Sequence, residues 1–132
     1  MREILFRAKR RNGEWREGSL MFYPDVNRAY MSSGEFKSIG GIVEVDKNTI
    51  GQYTGLKDIN GKKIFEGDIM SFVDSDGETI YVSVVFDAGA FLINENGEII
   101  SETLASFLDL GFCIAGNIYD NPDLVKEGVD KC

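Results

Sequence analysis

The sequence predicts a mainly β fold, in which antiparallel hairpins form a partly open barrel with one or two short helices. Three observations lead to this class. Asn-Gly or Asp-Gly pairs begin at Asn12, Asn60, Asp76 and Asn96, and each pair favours a tight turn between two strands. Glycine makes up 15 of the 132 residues, which fits a chain with many turns. Strands do not alternate with long helical segments, so a parallel sheet with crossover helices is not expected.

The first two strands flank the pair Asn12-Gly13. The segment EILFRA precedes this pair and the segment EWREGSLMFY follows it, and both are rich in the apolar and aromatic residues that strands favour. The next stretch, PDVNRAYMSSGEFKSIGG, mixes aromatic residues with serine, glycine and proline. It predicts either an irregular loop or an extra hairpin, so the sequence assigns no element to residues 24–42.

Three consecutive strands are predicted in the middle of the chain, at Asp68 to Val73, Thr79 to Phe86 and Ala90 to Asn94. All three are rich in β-branched and apolar residues. Gly89 marks a break or a bulge before the third strand. This succession of strands resembles the meander of an SH3-like barrel.

The length of the chain fits one compact unit. A chain of 132 residues buries about two thirds of the surface that its unfolded form exposes, so it needs no metal or disulfide to fold. Within it we expect an SH3-like core at residues 49–126. An N-terminal β-hairpin and irregular region precede this core at residues 1–48, and a frayed tail follows it at residues 127–132.

Two short helices are predicted near the C-terminus. The first lies in SETLASFLDLG, where Ser101 is the N-cap and Gly111 ends the helix. The apolar residues at helical spacing in this segment are Leu104, Phe107 and Leu108. The second helix is a single turn after Asn121-Pro122, where the asparagine caps the turn and the proline takes its first helical position.

Positive charge is concentrated at the N-terminus. Residues 1–16 carry six cations and two acids, a net charge of +4, whereas the whole chain carries −8 and the remainder therefore −12. One interpretation is a basic segment that meets an acidic surface of another subunit or of a partner protein. The alternative is that these cations pair with acidic neighbours of their own chain. A third interpretation is nucleic-acid binding, which the overall negative charge disfavours. The cations concerned are Arg7, Lys9, Arg10, Arg11 and Arg16.

Aromatic residues offer a second candidate for a binding surface, because their rings provide large contact areas at low entropic cost. The candidates are Trp15, Phe22, Tyr23, Tyr53 and Tyr119. Core packing explains most of them equally well. Tyr53 is favoured, because its neighbours are polar and the glycines on either side of them leave its ring accessible. Together with the cations, the candidate partner-binding residues are Tyr53, Trp15, Tyr119, Arg10 and Arg11.

Catalytic and metal-binding chemistry have little support in the sequence. The chain has no histidine, so a histidine-activated nucleophile is disfavoured. Asp58, Glu66 and Asp68 would form an acid–base pair or a cation site if the fold brought them together, and the alternative is that they stabilise turns. The stretch DSDGE from Asp74 to Glu78 resembles the start of a calcium loop but lacks the later ligands. We therefore expect no catalytic residue, no metal and no cofactor.

No membrane segment or targeting segment is predicted. No run of 18 apolar residues occurs, and the start MREILFRAKRR places its cations after a short alternating segment rather than before an apolar one. We expect no membrane association and a cytoplasmic location.

Three segments together resemble the YopX family, whose members are small proteins encoded chiefly by phages and prophages. These segments are MREILFRA, TIGQYTGLKDINGKKIFEGDIM from Thr49 to Met70, and AGNIYDNPDLV from Ala115 to Val125. The resemblance departs at Ala115, where an isoleucine is common, and between Asp25 and Gly41. It implies a β-rich fold with an SH3-like portion and a phage context, and it transfers no catalytic residue to this chain.

The leading functional prediction is a non-catalytic phage accessory protein that binds a host or phage protein. A homo-oligomer is expected, because exposed edges of a small sheet favour pairing with an identical chain. Two alternatives remain open. One is a nucleic-acid-associated module that uses the basic N-terminal segment, and the other is a carboxylate-dependent hydrolase.

Overall fold

The computed structural model describes residues 3–32, 41–107 and 111–124. The chain divides into two compact units, with the boundary between Tyr53 and Thr54. The described strands form two sheets, and every strand pair with an assigned register is antiparallel. The predicted mainly β class is confirmed. Within the described residues both sheets are open, since their outermost strands do not pair with each other.

The first unit contains a meander of four strands, a short 3-10 helix at Lys47–Thr49 and the start of a fifth strand. These strands are β1 (Phe6–Lys9), β2 (Trp15–Tyr23), β3 (Arg28–Ser32), β4 (Ile42–Val45) and β5 (Gly51–Lys57). Their order in the sheet is β4-β3-β2-β1-β5, and β6 (Lys63–Phe65) is the next neighbour of β5. Residues 24–42, to which the sequence assigned no element, therefore contain the turn and the second strand of the hairpin β2–β3, and the first residue of β4. Residues 33–40 lie outside the described residues.

The second unit repeats this plan. Its remaining elements are β7 (Asp68–Val73), β8 (Thr79–Asp87), β9 (Ala90–Glu95), β10 (Glu98–Thr103), α1 (Leu104–Phe107) and β11 (Cys113–Asn117). Their order in the sheet is β10-β9-β8-β7-β11. In the first sheet, β5 pairs with β1 and the 3-10 helix connects β4 to β5. In the second sheet, β11 pairs with β7 and α1 lies between β10 and β11. The meander predicted for β7 to β9 is present, and its counterpart in the first unit is a finding of the structure.

As expected, the predicted turns at Asn12, Asp76 and Asn96 each connect two antiparallel strands. The turn at Asn60 connects β5 and β6, which are neighbours in the first sheet. At Asn96-Gly97 both residues have positive φ, 55° and 88°, as a two-residue type I′ turn requires. A second turn of this kind joins β8 to β9 at Ala88-Gly89, with φ of 51° and 80°. The break predicted at Gly89 is therefore this hairpin turn and not a bulge.

Each unit has its own apolar cluster. In the first, the buried residues are Ala8, Ala29, Met31 and Val45. The sheet around them is curled, because the Asp46 N–H donates to the Lys9 carbonyl at 2.7 Å and the Lys9 N–H donates to Thr49 Oγ1 at 2.8 Å. In the second, the buried residues are Ile64, Met70, Val82, Val84, Ile93, Leu104 and Phe112.

The predicted first helix begins later than expected. Ser101 lies within β10, so it is not an N-cap, and α1 is a single turn that starts at Leu104. The strand persists because Thr103 still pairs with Leu92 across a β-bulge. Leu108 is outside the described residues.

At the second predicted helix, the Leu124 N–H donates to the Asn121 carbonyl at 3.1 Å, which begins a turn. Residues 127–132, the predicted tail, are again outside the described residues.

Among the residues that the structure describes, no helix is long and apolar enough to span a membrane.

Candidate functional site

The hairpin β2–β3 separates its side chains onto two faces. Leu20 lies opposite Met31 in the register, and both belong to the apolar cluster of the first unit. The next pair, Met21 and Tyr30, therefore lies on the other face of the sheet. Tyr23 shares that outer face with Met21, because side chains alternate along a strand.

An apolar groove lies on this outer face. It has a volume of about 380 Å³ and is lined by Met21, Tyr23, Val26, Tyr30 and Ile42. The rings of Tyr23 and Tyr30 meet edge to face, with their centroids 5.6 Å apart. Tyr23 is 51% exposed, Val26 60% and Ile42 41%, so the groove presents apolar side chains to solvent. Clustered exposure of this kind typically marks an interaction site.

A charged rim adjoins the apolar groove. Val26 also lines a second depression of about 310 Å³, whose charged residues are Arg11, Arg28, Glu44, Asp46 and Lys47. The Glu44 Oε2 atom lies 3.9 Å from Arg11 and 3.8 Å from Arg28. The Asp46 carboxylate accepts a hydrogen bond from the Asn48 N–H at 2.9 Å. With three cations and two carboxylates, the rim carries a net charge of +1 beside the apolar slot.

The predicted basic segment is largely paired within its own chain. Arg16 Nε lies 2.6 Å from Glu14 Oε1, and Arg10 reaches the same oxygen at 3.4 Å. The pKa of Glu14 is held below its usual value, first by the hydrogen bond from Arg16, then by the charge of Arg16 and by the hydrogen bond from Arg10. Arg11 belongs to the charged rim. These pairs correspond to the own-chain alternative that the sequence left open.

The predicted aromatic residues lie in different environments. Trp15 is half-buried on β2, with the Arg7 guanidinium 4.9 Å and the Lys9 ammonium 5.7 Å from its ring centroid. Tyr119 is half-buried in the turn after β11, in the second unit. Tyr53 is only 7% exposed, so the expectation that its ring is accessible is wrong. In the first half of β5, Gly51 and Tyr53 are buried while Gln52 and Thr54 are partly exposed.

Two of the three candidate carboxylates, those of Asp58 and Asp68, accept hydrogen bonds from backbone N–H groups. Asp58 accepts from the N–H groups of Asn60, Lys62 and Ile114, each at 2.9 Å. Asp68 is 1% exposed and accepts from the Phe65 N–H at 2.8 Å. These bonds correspond to the turn-stabilising alternative.

The DSDGE stretch forms a similar turn, because Asp74 accepts from the N–H groups of Asp76 and Glu78. Within the described ranges no three His, Cys, Asp or Glu residues are grouped as metal ligands would be.

The family model described as "YopX protein" matches residues 5–126. The chain belongs to the YopX family. Among solved structures it is similar to the crystal structure of protein EF1440 from Enterococcus faecalis, with a TM-score of 0.61 and 25% sequence identity. That alignment covers 95% of this chain and 99% of the other. No curated protein matches the sequence.

In two of the three segments that carry the YopX resemblance, polar side chains form hydrogen bonds with the backbone of this chain. Thr54 donates its hydroxyl to the Ile64 carbonyl at 2.8 Å and accepts from the Leu56 N–H at 3.2 Å. Asn117 accepts from the N–H groups of Tyr119 and Asp120. A Cβ atom at Gly116 would overlap the side-chain amide of Asn121. In this YopX chain, both segments therefore stabilise turns.

Sequence reasoning missed most of the apolar groove. It named Tyr23 but not Met21, Val26, Tyr30 or Ile42. The last three of these fall in residues 24–42, which had no assigned element. The usable signal was the run Leu20 to Tyr23, whose uninterrupted apolar character predicts a strand with apolar residues on both faces.

Proposed function

We propose that this YopX-family chain is a non-catalytic binding protein and that the apolar groove binds a protein partner. The exposure of apolar side chains on one hairpin and its neighbouring strand carries this proposal. In the described part of the first unit, three of the five exposed large apolar residues line the groove, namely Tyr23, Val26 and Ile42. The other two are Ile4 and Phe22.

The composition of the groove suits a protein partner. Tyrosine and methionine are enriched at the centres of protein interfaces, where charged residues are rare, and a polar rim surrounds them. Here two tyrosines and Met21 line the slot, while Arg11, Arg28 and Lys47 stand at its side. An apolar anchor from the partner would fill the slot, and the cations would orient it.

The family resemblance supplies the biological setting of the proposal. A phage or prophage would encode this chain as an accessory protein, and it would act in the host bacterial cytoplasm as a homo-oligomer or with a host or phage protein. The two alternatives have less support. Arg10 and Arg16 share Glu14 as a partner, which reduces the charge available to phosphates, and the lone pairs of Asp58 already accept three backbone hydrogen bonds.

Site-specific photo-crosslinking tests the groove. A photoreactive phenylalanine analogue replaces either Tyr23 or Phe22 in the chain expressed in bacterial cells. The two residues are adjacent and similarly exposed, at 51% and 48%, but they lie on opposite faces of β2. We expect protein adducts from position 23 and few from position 22. Val26→Asp should abolish the adducts at position 23, because it places a charge in the groove.

Equal adduct yields from both positions, or none from either, would contradict the proposal. A salt-dependent gel shift with nucleic acid that disappears when Arg7, Lys9, Arg10, Arg11 and Arg16 are replaced by Ala would favour the nucleic-acid alternative instead.

A further inference from the structure

Charge is divided unequally between the two units. Residues 1–53 carry nine cations and seven acids, a net charge of +2, whereas residues 54–132 carry five cations and fifteen acids, a net charge of −10. From Ile64 to Val125 the chain contains twelve acidic residues and no Lys, Arg or His. Over this stretch the acids have no cation from their own segment, so a cationic surface from elsewhere would complement them.

Five of these twelve acids lie at one end of the second sheet. The turns β7–β8 and β9–β10 lie at the same end, because successive strands of a meander run in opposite directions. We call this region the acidic end, and its acidic residues are Asp74, Asp76, Glu78, Glu95 and Glu98. Glu95 and Glu98 are directly opposite each other in the register. Like charges in this position repel each other and destabilise the strand pair.

The acidic end also exposes apolar side chains. Val73 is 63% exposed and Ile99 is 46% exposed, and each is next to one of the two turns. Both lie on the face opposite the core, because their neighbours Phe72 and Ile100 pack against the apolar cluster of the second unit. The acidic end therefore combines apolar anchors with carboxylates, while the groove combines an apolar slot with cations.

We propose that a second copy of this chain is the partner of the groove, and that the two copies bind head to tail. The acidic end of one copy docks on the apolar groove of the other, with Val73 and Ile99 against the slot and the carboxylates against Arg11 and Arg28. This inference rests on the proposed function, since it uses the same groove. Two grooves facing each other would oppose cations, and two acidic ends would oppose carboxylates, so complementarity selects the heterologous contact.

Sedimentation velocity of the full chain over a range of concentrations tests association. We expect the chain to associate at about 0.1 M salt and to dissociate at about 1 M salt, since the screening length falls from about 10 Å to about 3 Å. A chain that stays monomeric in low salt at every concentration would overturn the inference. Photo-adducts from position 23 with other proteins would then leave the proposed function intact.

Charge-reversal variants test the two surfaces separately. Arg28→Glu in the charged rim of the groove and Glu98→Lys at the acidic end should each weaken association at least about tenfold. The matched controls are Lys62→Glu, an exposed lysine outside the groove lining, and Asp87→Lys at the opposite end of the same sheet. These controls should leave the dissociation constant within about twofold of the parent value. Equal effects of the variants and their controls would overturn the inference.

Mixing the two variants distinguishes a heterologous contact from a symmetric one. Arg28→Glu keeps an intact acidic end, and Glu98→Lys keeps an intact groove. An equimolar mixture should therefore associate more tightly than either variant does alone. A mixture that remains monomeric, while both variants show the parent's far-UV circular dichroism, would refute the head-to-tail arrangement.

Discussion

At the scale of single residues, Asp58 shows why acidic side chains recur at the corners of this fold. Its carboxylate accepts from two N–H groups of its own turn and from Ile114 on β11, and the side chain is almost fully buried. Asp74 makes the same two local bonds in the turn β7–β8, which is exposed. The two turns share the pattern Asp-x-x-Gly-x, so they differ chiefly in burial and in the contact with β11.

Replacing each aspartate with alanine measures that difference. Asp58→Ala removes the acceptor of three N–H groups in a water-poor site, so we expect a loss of about 2–4 kcal/mol in the free energy of unfolding. Asp74→Ala should cost about 0.5–1 kcal/mol, because water replaces the carboxylate in the exposed turn. Urea unfolding followed by circular dichroism measures both values. Equal losses would show that the bond to Ile114 adds nothing.

Tyr53 and Tyr23 show the limit of sequence reasoning about single residues. Flanking glycines made Tyr53 the favoured exposed ring, yet it is 7% exposed, whereas Tyr23 is 51% exposed. Glycine neighbours reveal which local conformations are available to the backbone, but the exposure of a ring depends on which face of its strand is covered. That cover comes from residues distant in the sequence.

At the scale of elements, the turns were the most predictable feature. The strands Asp68–Val73, Thr79–Asp87 and Ala90–Glu95 agree with the predicted bounds to within one residue, because glycine turns define their ends. The helix was less predictable. Its apolar spacing suited about two helical turns, but pairing of β10 with β9 continues to Thr103, so the helix begins only at Leu104.

The turn β8–β9 offers an element-scale prediction. Ala88 has a φ of 51°, a left-handed conformation that disfavours a residue with a Cβ atom but that asparagine tolerates. Ala88→Asn should therefore stabilise the protein by about 0.5–1 kcal/mol, because it creates the favoured Asn-Gly turn.

The turn β9–β10 is the matched control, since it already contains Asn96-Gly97 with the same geometry. Asn96→Ala should destabilise the protein by about the same amount in urea unfolding. The argument fails if both substitutions change the free energy of unfolding in the same direction.

At the scale of the whole molecule, two units with the same strand order carry opposite net charges. The strand order recurs without a recognisable repeat in the sequence, because the same antiparallel plan accepts different side chains wherever burial alternates properly. Charge, in contrast, is free to differ between the units, since it lies mostly on exposed positions. The fold is therefore duplicated while the electrostatic character is not.

Repulsion within the second unit leads to a prediction about salt. Glu95→Gln removes one member of the opposed pair Glu95–Glu98, so it should raise the free energy of unfolding by about 0.2–1 kcal/mol at about 0.1 M salt. The gain should vanish near 1 M salt, where charges are screened. Asp25→Asn, an exposed acid of the first unit, is the control and should give no gain. A gain that is independent of salt would contradict the electrostatic explanation.

The sequence alone determined the class of fold, the positions of most strands and turns, and the YopX family, because these depend on local backbone preferences and on short residue strings. The tertiary structure decided which aromatic rings face solvent, where the carboxylates of Asp58 and Asp68 form their bonds, and that an apolar groove lies beside Arg28. Those features depend on which segments, distant along the chain, pair with one another. Period-two alternation distinguishes the two faces of a strand, but only strand pairing and packing select the face that is buried.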